Sequence, residues 1–449
     1  MNPTKLCQSL ALVFMISSPL VGIEAHASQS EAKFVQSVNK ALPELEKLYL
    51  HLHQNPELSY QEKATGERMA KELSALGFEV TDNYGGYGVV GIFKNGDGPT
   101  VMIRADTDGL PIIEQTGKPY ASTVITTDGD NNTVGIMHGC GHDIHMTSLI
   151  GTAAQLVEHK SQWQGTLMMV AQPAEEVGGG AKAMLAQGLF TEFPTPDHVL
   201  GLHVSASVPA GKVAIAPGYA LANVDSVDIT VKGKGGHGAY PHTTIDPVVL
   251  AARTVMALQT IPSREISPLE PNVITVGSIH GGSKHNIISN EVKLQLTLRS
   301  YNPEVRELQI AAIKRMTKGI AVSAGVPESL MPVVYVHEDE TIPSTYNDPS
   351  LATSVQSSIE REIGQSNVVK AEPVMAGEDF GLYGRTSEKR PITIFWLGAV
   401  EPKLYEASMA KGETLPSLHS SKFAPDYPLT ISTGVRAMSR SAMDLFNSK

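Results

Sequence analysis

Apolar positions along the chain fall into two periodicities. Glu31 to Leu52 and Glu62 to Leu76 carry them at helical spacing, and the second run stops at Gly77, a residue suited to the left-handed turn that ends a helix. Short unbroken apolar runs then predict strands at Gly88 to Phe93 and Thr100 to Ala105. The polar Lys94-Asn95-Gly96-Asp97-Gly98 between them predicts a hairpin. Helix Met146 to Val157, strand Thr166 to Ala171, helix Ala181 to Gln187 and strand His198 to Leu202 follow. This alternation predicts an α/β layer built on a mixed, largely parallel sheet with flanking helices.

From about residue 220 the order changes to strand Val224 to Lys232, helix Pro247 to Ile261, strands Asn272 to Ile279 and Val292 to Arg299, helix Pro303 to Ala324 and strand Pro332 to Val336. That is the β-α-β-β-α-β order of a ferredoxin-like α+β unit. The first grammar resumes with helix Ser350 to Ile363, strand Thr393 to Leu397 and helix Thr430 to Phe446. The expected organisation is one domain in two parts, residues 28–219 and 337–449, with a smaller domain, 220–336, inserted between them.

The start of the chain predicts an export signal over residues 1–27: Lys5, an apolar run from Leu10, and Ala25-His26-Ala27 in the form of a cleavage site. The run is broken by Ser17, Ser18 and Pro19, and no later stretch reaches the ~18 apolar residues of a membrane helix. A periplasmic or secreted protein without a membrane span is expected. The net charge of −11 argues against nucleic acid as a partner. Cys7 leaves with the signal, so Cys140 has no disulfide partner, and an oxidising compartment would find it either buried or occupied by a ligand.

The densest chemistry is His138-Gly139-Cys140-Gly141-His142-Asp143-Ile144-His145, five possible metal ligands in eight positions before a helix. Thiolate beside imidazole suits zinc or another transition metal. Gln172-Pro173-Ala174-Glu175-Glu176 follows a strand too apolar to be an edge, so one carboxylate can bind metal while its neighbour moves a proton. Asp106 and Asp108 leave the strand Thr100 to Ala105, His203 closes the strand His198 to Leu202, and His419 lies in a polar loop. Taken singly, His203 and His419 read as structural or surface histidines, but strand ends are where open α/β sheets place their sites. The inserted unit adds the Gly-rich loop around His237, the Gly281 to Asn286 loop and Arg299.

Together these motifs, with His53-x-x-Pro56-Glu57-Leu58-Ser59 and Gly377-Glu378-Asp379-Phe380, resemble the co-catalytic metallopeptidases and amidohydrolases that include hippurate hydrolase, indole-acetyl-amino-acid hydrolase, aminoacylase and carboxypeptidase G. The resemblance spans nearly the whole chain after the signal. It implies metal-dependent hydrolysis of N-acyl or N-aroyl amino acids, or of dipeptides by the same machinery. It also implies two divalent ions per subunit, zinc or manganese first and cobalt or nickel next, held by Cys140, His142, Glu176, His203 and His419. Glu175 would be the general base and Asp108 an orienting group, whereas Asp106 would not be a primary ligand. His237 would reach across a homodimer formed through the inserted lid. Asn286, Arg299 and Gly377 would line the substrate site. A binding protein without catalysis is the rival reading, and the spare carboxylate Glu175 argues against it.

Overall fold

This computed structural model describes residues 20–129 and 131–448, with side chains from residue 32 onward. The expected signal lies outside the described residues as far as residue 19; from Leu20 the chain is helical to Gln54. An eight-stranded sheet runs in the order Glu79–Tyr84, Gly88–Asn95, Gly165–Gln172, Thr100–Asp106, His198–Pro209, Ile392–Val400, Val213–Ile215, Val368–Lys370. The four central strands are mutually parallel, and the antiparallel pairings lie toward the edges.

The central strands are buried on both faces, which is why they read as unbroken apolar runs. In Thr100–Asp106, Val101, Ile103 and Ala105 enter one core while Met102 enters the other. The first core is closed by the helices Leu20–Gln54, His142–Glu158, Pro349–Ile363 and Tyr427–Asn447, through residues such as Leu48, Leu149, Val355 and Val435. The second is closed by Gly180–Gln187 and the short 3-10 helix Asp379–Gly384, through Met184 and Phe380.

Two expectations are corrected. Gly88–Asn95 and Thr100–Asp106 do not form a hairpin: Gly165–Gln172 lies between them, antiparallel to the first and parallel to the second. The loop between them instead wraps the start of that middle strand, where the Thr166 N–H donates to Pro99 O at 2.9 Å. His203 does not close its strand, because Ile392–Val400 keeps pairing alongside it as far as Pro209. The edge strand Glu79–Tyr84 has no counterpart in the sequence reading; its mostly exposed, polar residues give no apolar run.

Residues 223–336 form a separate four-stranded antiparallel sheet in the order Asn272–Gly281, Glu291–Ser300, Asn223–Lys232, Val333–Val336. Numbered along the chain, this is the 2-3-1-4 order of a ferredoxin-like unit. Its own core takes Val227, Ile229, Leu294 and Leu296 from the sheet and Leu250, Ala251, Ile310 and Ile313 from the helices Pro247–Leu258 and Pro303–Ser323. The two units meet where Val224 and Ile342 exchange backbone hydrogen bonds of 2.8 and 3.0 Å.

Candidate active site

Four chain segments converge along one side of the central strands. The loop before His142–Glu158 needs Gly141 at φ +83°, where a Cβ would stand 2.5 Å from Val204 Cγ2. This turn aims Cys140 and His142 into one space, both buried. Cys140 Sγ lies 3.5 Å from His203 Nε2 and 3.2 Å from His419 Nε2. His142 Nε2 is 3.8 Å from Glu175 Oε2 and 3.8 Å from Glu176 Oε1, and His419 Nε2 is 3.6 Å from Glu176 Oε2. Separations of this size suit ligand atoms around a divalent ion, since bonds near 2.1 Å in a tetrahedron set neighbours about 3.4 Å apart.

The side chains are also oriented for ligation. His142 Nδ1 donates to the Asp108 carbonyl at 2.8 Å and His203 Nδ1 to the Val204 carbonyl at 2.8 Å, so each ring turns Nε2 inward. Among the described residues, buried His142 Nε2 and Glu176 Oε1 have no hydrogen-bond partner. Burial opposes a charge on His142, yet Asp106, Asp108 and Glu176 outweigh it and push its pKa up to about 10. Burial raises Glu176 to about 7, and raises Glu175, with help from Glu378, and Cys140, with help from Glu176. The surrounding carboxylates thus favour positive charge in this space, and the donor set of thiol, imidazoles and carboxylates fits divalent cations.

Two neighbouring clusters are already satisfied. His145 donates from Nδ1 to Asp106 and accepts the Val204 N–H at Nε2, 2.9 Å, while the other Asp106 oxygen takes Arg104. Asp379 is spent on Arg104, Gln172 and the Ala181 N–H. Arg104 is itself buried and bridges Asp106, Glu378 and Asp379 at 2.7 to 2.9 Å. Asp143 pairs with His53 at 2.7 Å, and the buried His138 has no hydrogen-bond partner for either ring nitrogen among the described residues.

Asp108 sits beneath the cluster. Its Oδ2 accepts Ser59 Oγ–H at 2.6 Å and the Glu176 N–H at 3.0 Å. Glu62, read in the sequence only as a helix start, is buried there too and accepts the Ala174 N–H at 2.7 Å. Ala174 holds φ +51° and His419 φ +62°, conformations costly for a residue with a Cβ; the first directly precedes Glu175 and the second is itself in the cluster. No local signal marks Glu62, because glutamates at helix starts are common.

The structure does not bring every expected residue together. His237 is exposed on a two-residue strand paired with Ile287–Ile288 and accepts the Ala239 N–H at Nδ1. Exposed Asn286 accepts the Gly238 N–H, 2.8 Å, and half-buried Arg299 donates to Leu298 O, 3.0 Å. These contacts stay within the smaller unit. Gly377 lies at the junction, where a Cβ would stand 2.3 Å from Val224 Cγ2, and it precedes Glu378 beside Glu175.

A buried thiol, imidazoles and paired carboxylates set beyond a parallel sheet define a metal-dependent amidohydrolase. Residues 102–415 match Peptidase family M20/M25/M40, and the chain belongs to this family. It is 37% identical over 379 residues to thermostable carboxypeptidase 2 of Saccharolobus solfataricus, covering 84% of this chain and 88% of that one. It is 34% identical over 349 residues to N-acetylcysteine deacetylase of Bacillus subtilis, covering 77% and 86%. The crystal structure of Bacillus subtilis YXEP, a dinuclear metal binding peptidase from the M20 family, superposes with a TM-score of 0.74 at 28% identity, covering 92% of this chain and all of that one. Among the described residues, no helix is long and apolar enough to cross a membrane.

Proposed function

We propose that this protein hydrolyses the amide bond of N-acyl or N-aroyl amino acids, with Glu175 as general base. One observation carries the reading: Glu175 stands buried 3.8 Å from His142 Nε2, beside Glu176 and the other proposed ligands. Cys140, His142, Glu176, His203 and His419 would hold two divalent ions, zinc or manganese, which polarise the amide carbonyl and acidify water. Burial and Glu378 raise the proton affinity of Glu175, which suits it to take a proton from water and return it to the leaving amine. Asp108 fixes the direction of His142 and the backbone of Glu176. Asn286, Arg299 and Gly377 would hold the substrate, Arg299 gripping its carboxylate.

His237 would then act on a neighbouring subunit's cluster, stabilising negative charge on the former carbonyl oxygen, which makes a homodimer through the 220–336 lid part of the proposal. Export to the periplasm or beyond belongs to it as well, on the strength of Lys5, the apolar run and Ala25-His26-Ala27. Cleavage of dipeptides is the second reading, favoured by the likeness to a carboxypeptidase.

The test is amino-acid release by zinc- or manganese-loaded protein from acetyl, benzoyl and indole-acetyl amino acids and from dipeptides. Glu175→Gln should lower turnover on acyl substrates by roughly 10³-fold or more with metal content unchanged. Release from dipeptides alone would select the second reading, and an active Glu175→Gln enzyme would remove the mechanism.

A further inference from the structure

A cavity of about 810 Å³ lies away from the metal cluster. His198 and Ile392, which open two central parallel strands, line it, whereas His203 lies five residues further along the same strand, about 16 Å at strand rise. Pocket and cluster therefore occupy different ends of one strand.

The lining is unusual for a chain of net charge −11: Arg385, Lys389 and Arg390 fall within six positions and all face the cavity. Arg385 donates only to Ser344 O and Oγ, at 2.8 and 3.0 Å, and burial lowers its pKa, with only Tyr219 acting in the other direction. Lys389 makes no ion pair among the described residues, and Arg390 approaches Asp197 no closer than 3.8 Å. Arg390 Nε and His198 Nδ1 are covered and have no hydrogen-bond partner among the described residues, a state proteins rarely leave unresolved. The acidic side chain in the wall, Asp348, is engaged in capping the helix Pro349–Ile363 through the Leu351 N–H at 2.9 Å. Ser350 and Ser354 of that helix's first turns face the same space, so its dipole adds to the positive field. Two lining residues are aromatic: Tyr219 meets Tyr346 edge-on at 4.9 Å, and behind them Tyr219 stacks on Tyr301 at 5.6 Å.

We propose that this cavity is a second binding site, for a small molecule that carries a carboxylate or phosphate on a planar body. The guanidinium groups match either oxyanion in a two-pronged contact, and the tyrosines supply a flat apolar wall. The site shares no residue with the metal cluster, so it stands or falls independently of the hydrolase reading.

The test is calorimetric titration of the metal-loaded full chain with benzoate, with phenyl phosphate and with inorganic phosphate, each alone. Binding of at least one probe is expected, weakened about tenfold or more in both Arg390→Gln and Arg385→Gln, with amide hydrolysis retained. Ser354→Trp, which fills the cavity from a helix surface and leaves the arginines in place, should abolish the same binding. Benzoate or phenyl phosphate binding above inorganic phosphate supports the planar body and names the oxyanion. Binding of inorganic phosphate alone overturns the planar requirement. The site is overturned if no probe binds below about 10 mM, or if binding survives all three substitutions and disappears only on metal removal.

Discussion

Asp108 holds His142 through its main chain: the His142 Nδ1–H donates to the Asp108 carbonyl at 2.8 Å, while the Asp108 side chain takes the Glu176 N–H at 3.0 Å. One residue thereby fixes two of the five proposed ligands, which come from different segments of the chain. Asp108→Ala keeps the carbonyl but frees Glu176 and Ser59, so metal affinity should fall about 10- to 100-fold. Asp108→Asn keeps an acceptor and should fall less. Competition with a chromophoric chelator measures both, and equal affinity in Asp108→Ala and wild type would contradict this role.

Glu62 does for the turn before Glu175 what Asp108 does for Glu176. Its Oε1 accepts the N–H of Ala174, whose φ of +51° is held against its preference. Burial and then Asp108 act on the Glu62 carboxyl, leaving its pKa at about 7. Glu62→Gln preserves an acceptor without the charge and should keep kcat within about threefold. Glu62→Ala leaves a buried N–H unsatisfied and releases the turn, a loss of about 1–3 kcal/mol that should appear as a kcat lowered about tenfold or more. Equal rates for the two variants would show that Glu62 does not position Glu175.

How much of this could be read in advance follows from burial. Thr100–Asp106 and Gly165–Gln172 are legible because both faces are covered and each carries an apolar run, Val101 to Ile103 and Leu167 to Ala171. Glu79–Tyr84 was not, since an edge strand exposing Glu79, Thr81, Asp82 and Asn83 resembles a loop. The false hairpin arose from pairing sequence neighbours, where the fold instead slides Gly165–Gln172 between them. At the site, Cys140 and His142 announced themselves by density, and Glu175 and Glu176 by following a buried strand. His419 is a weak candidate from its place in a polar loop after a strand, and only the resemblance makes it a ligand. Glu62 and the Arg104 bridge to Glu378 and Asp379 were illegible because their partners lie 112 and 274 to 275 positions away.

His53 supplies a pH test away from the proposed ligands. Burial opposes its charge, but the hydrogen bonds it donates to Asp143 at 2.7 Å and Glu114 at 3.2 Å outweigh burial and raise its pKa from 6.5 to about 9. A raised basic pKa stabilises the folded state most below 6.5, where the ring is charged in both states, and that stabilisation is lost as pH rises through about 9. The full effect is about 3 kcal/mol at most. Denaturant unfolding of wild type and His53→Gln should therefore give a stability difference that shrinks between pH 6.5 and 9. A difference constant across that window would mean that His53 is neutral in the folded protein.

Gly141 is the narrowest constraint on the cluster. It stands between Cys140 and His142 at φ +83°, and a methyl group there would stand 2.5 Å from Val204 Cγ2 on a central strand. Val204 cannot yield easily, because its N–H is held by His145 and its carbonyl by His203. Gly141→Ala adds the left-handed cost of about 1–2 kcal/mol to this clash. The chain can relieve both only by moving Cys140 and His142 relative to His203. The variant should thus lose metal affinity by more than the tenfold expected from backbone strain alone, and its melting temperature should fall even without metal. Chelator competition and apo-protein melts measure the two effects separately. A variant that melts earlier but binds metal as wild type does would show that the turn serves folding and leaves ligand placement to the surrounding strands.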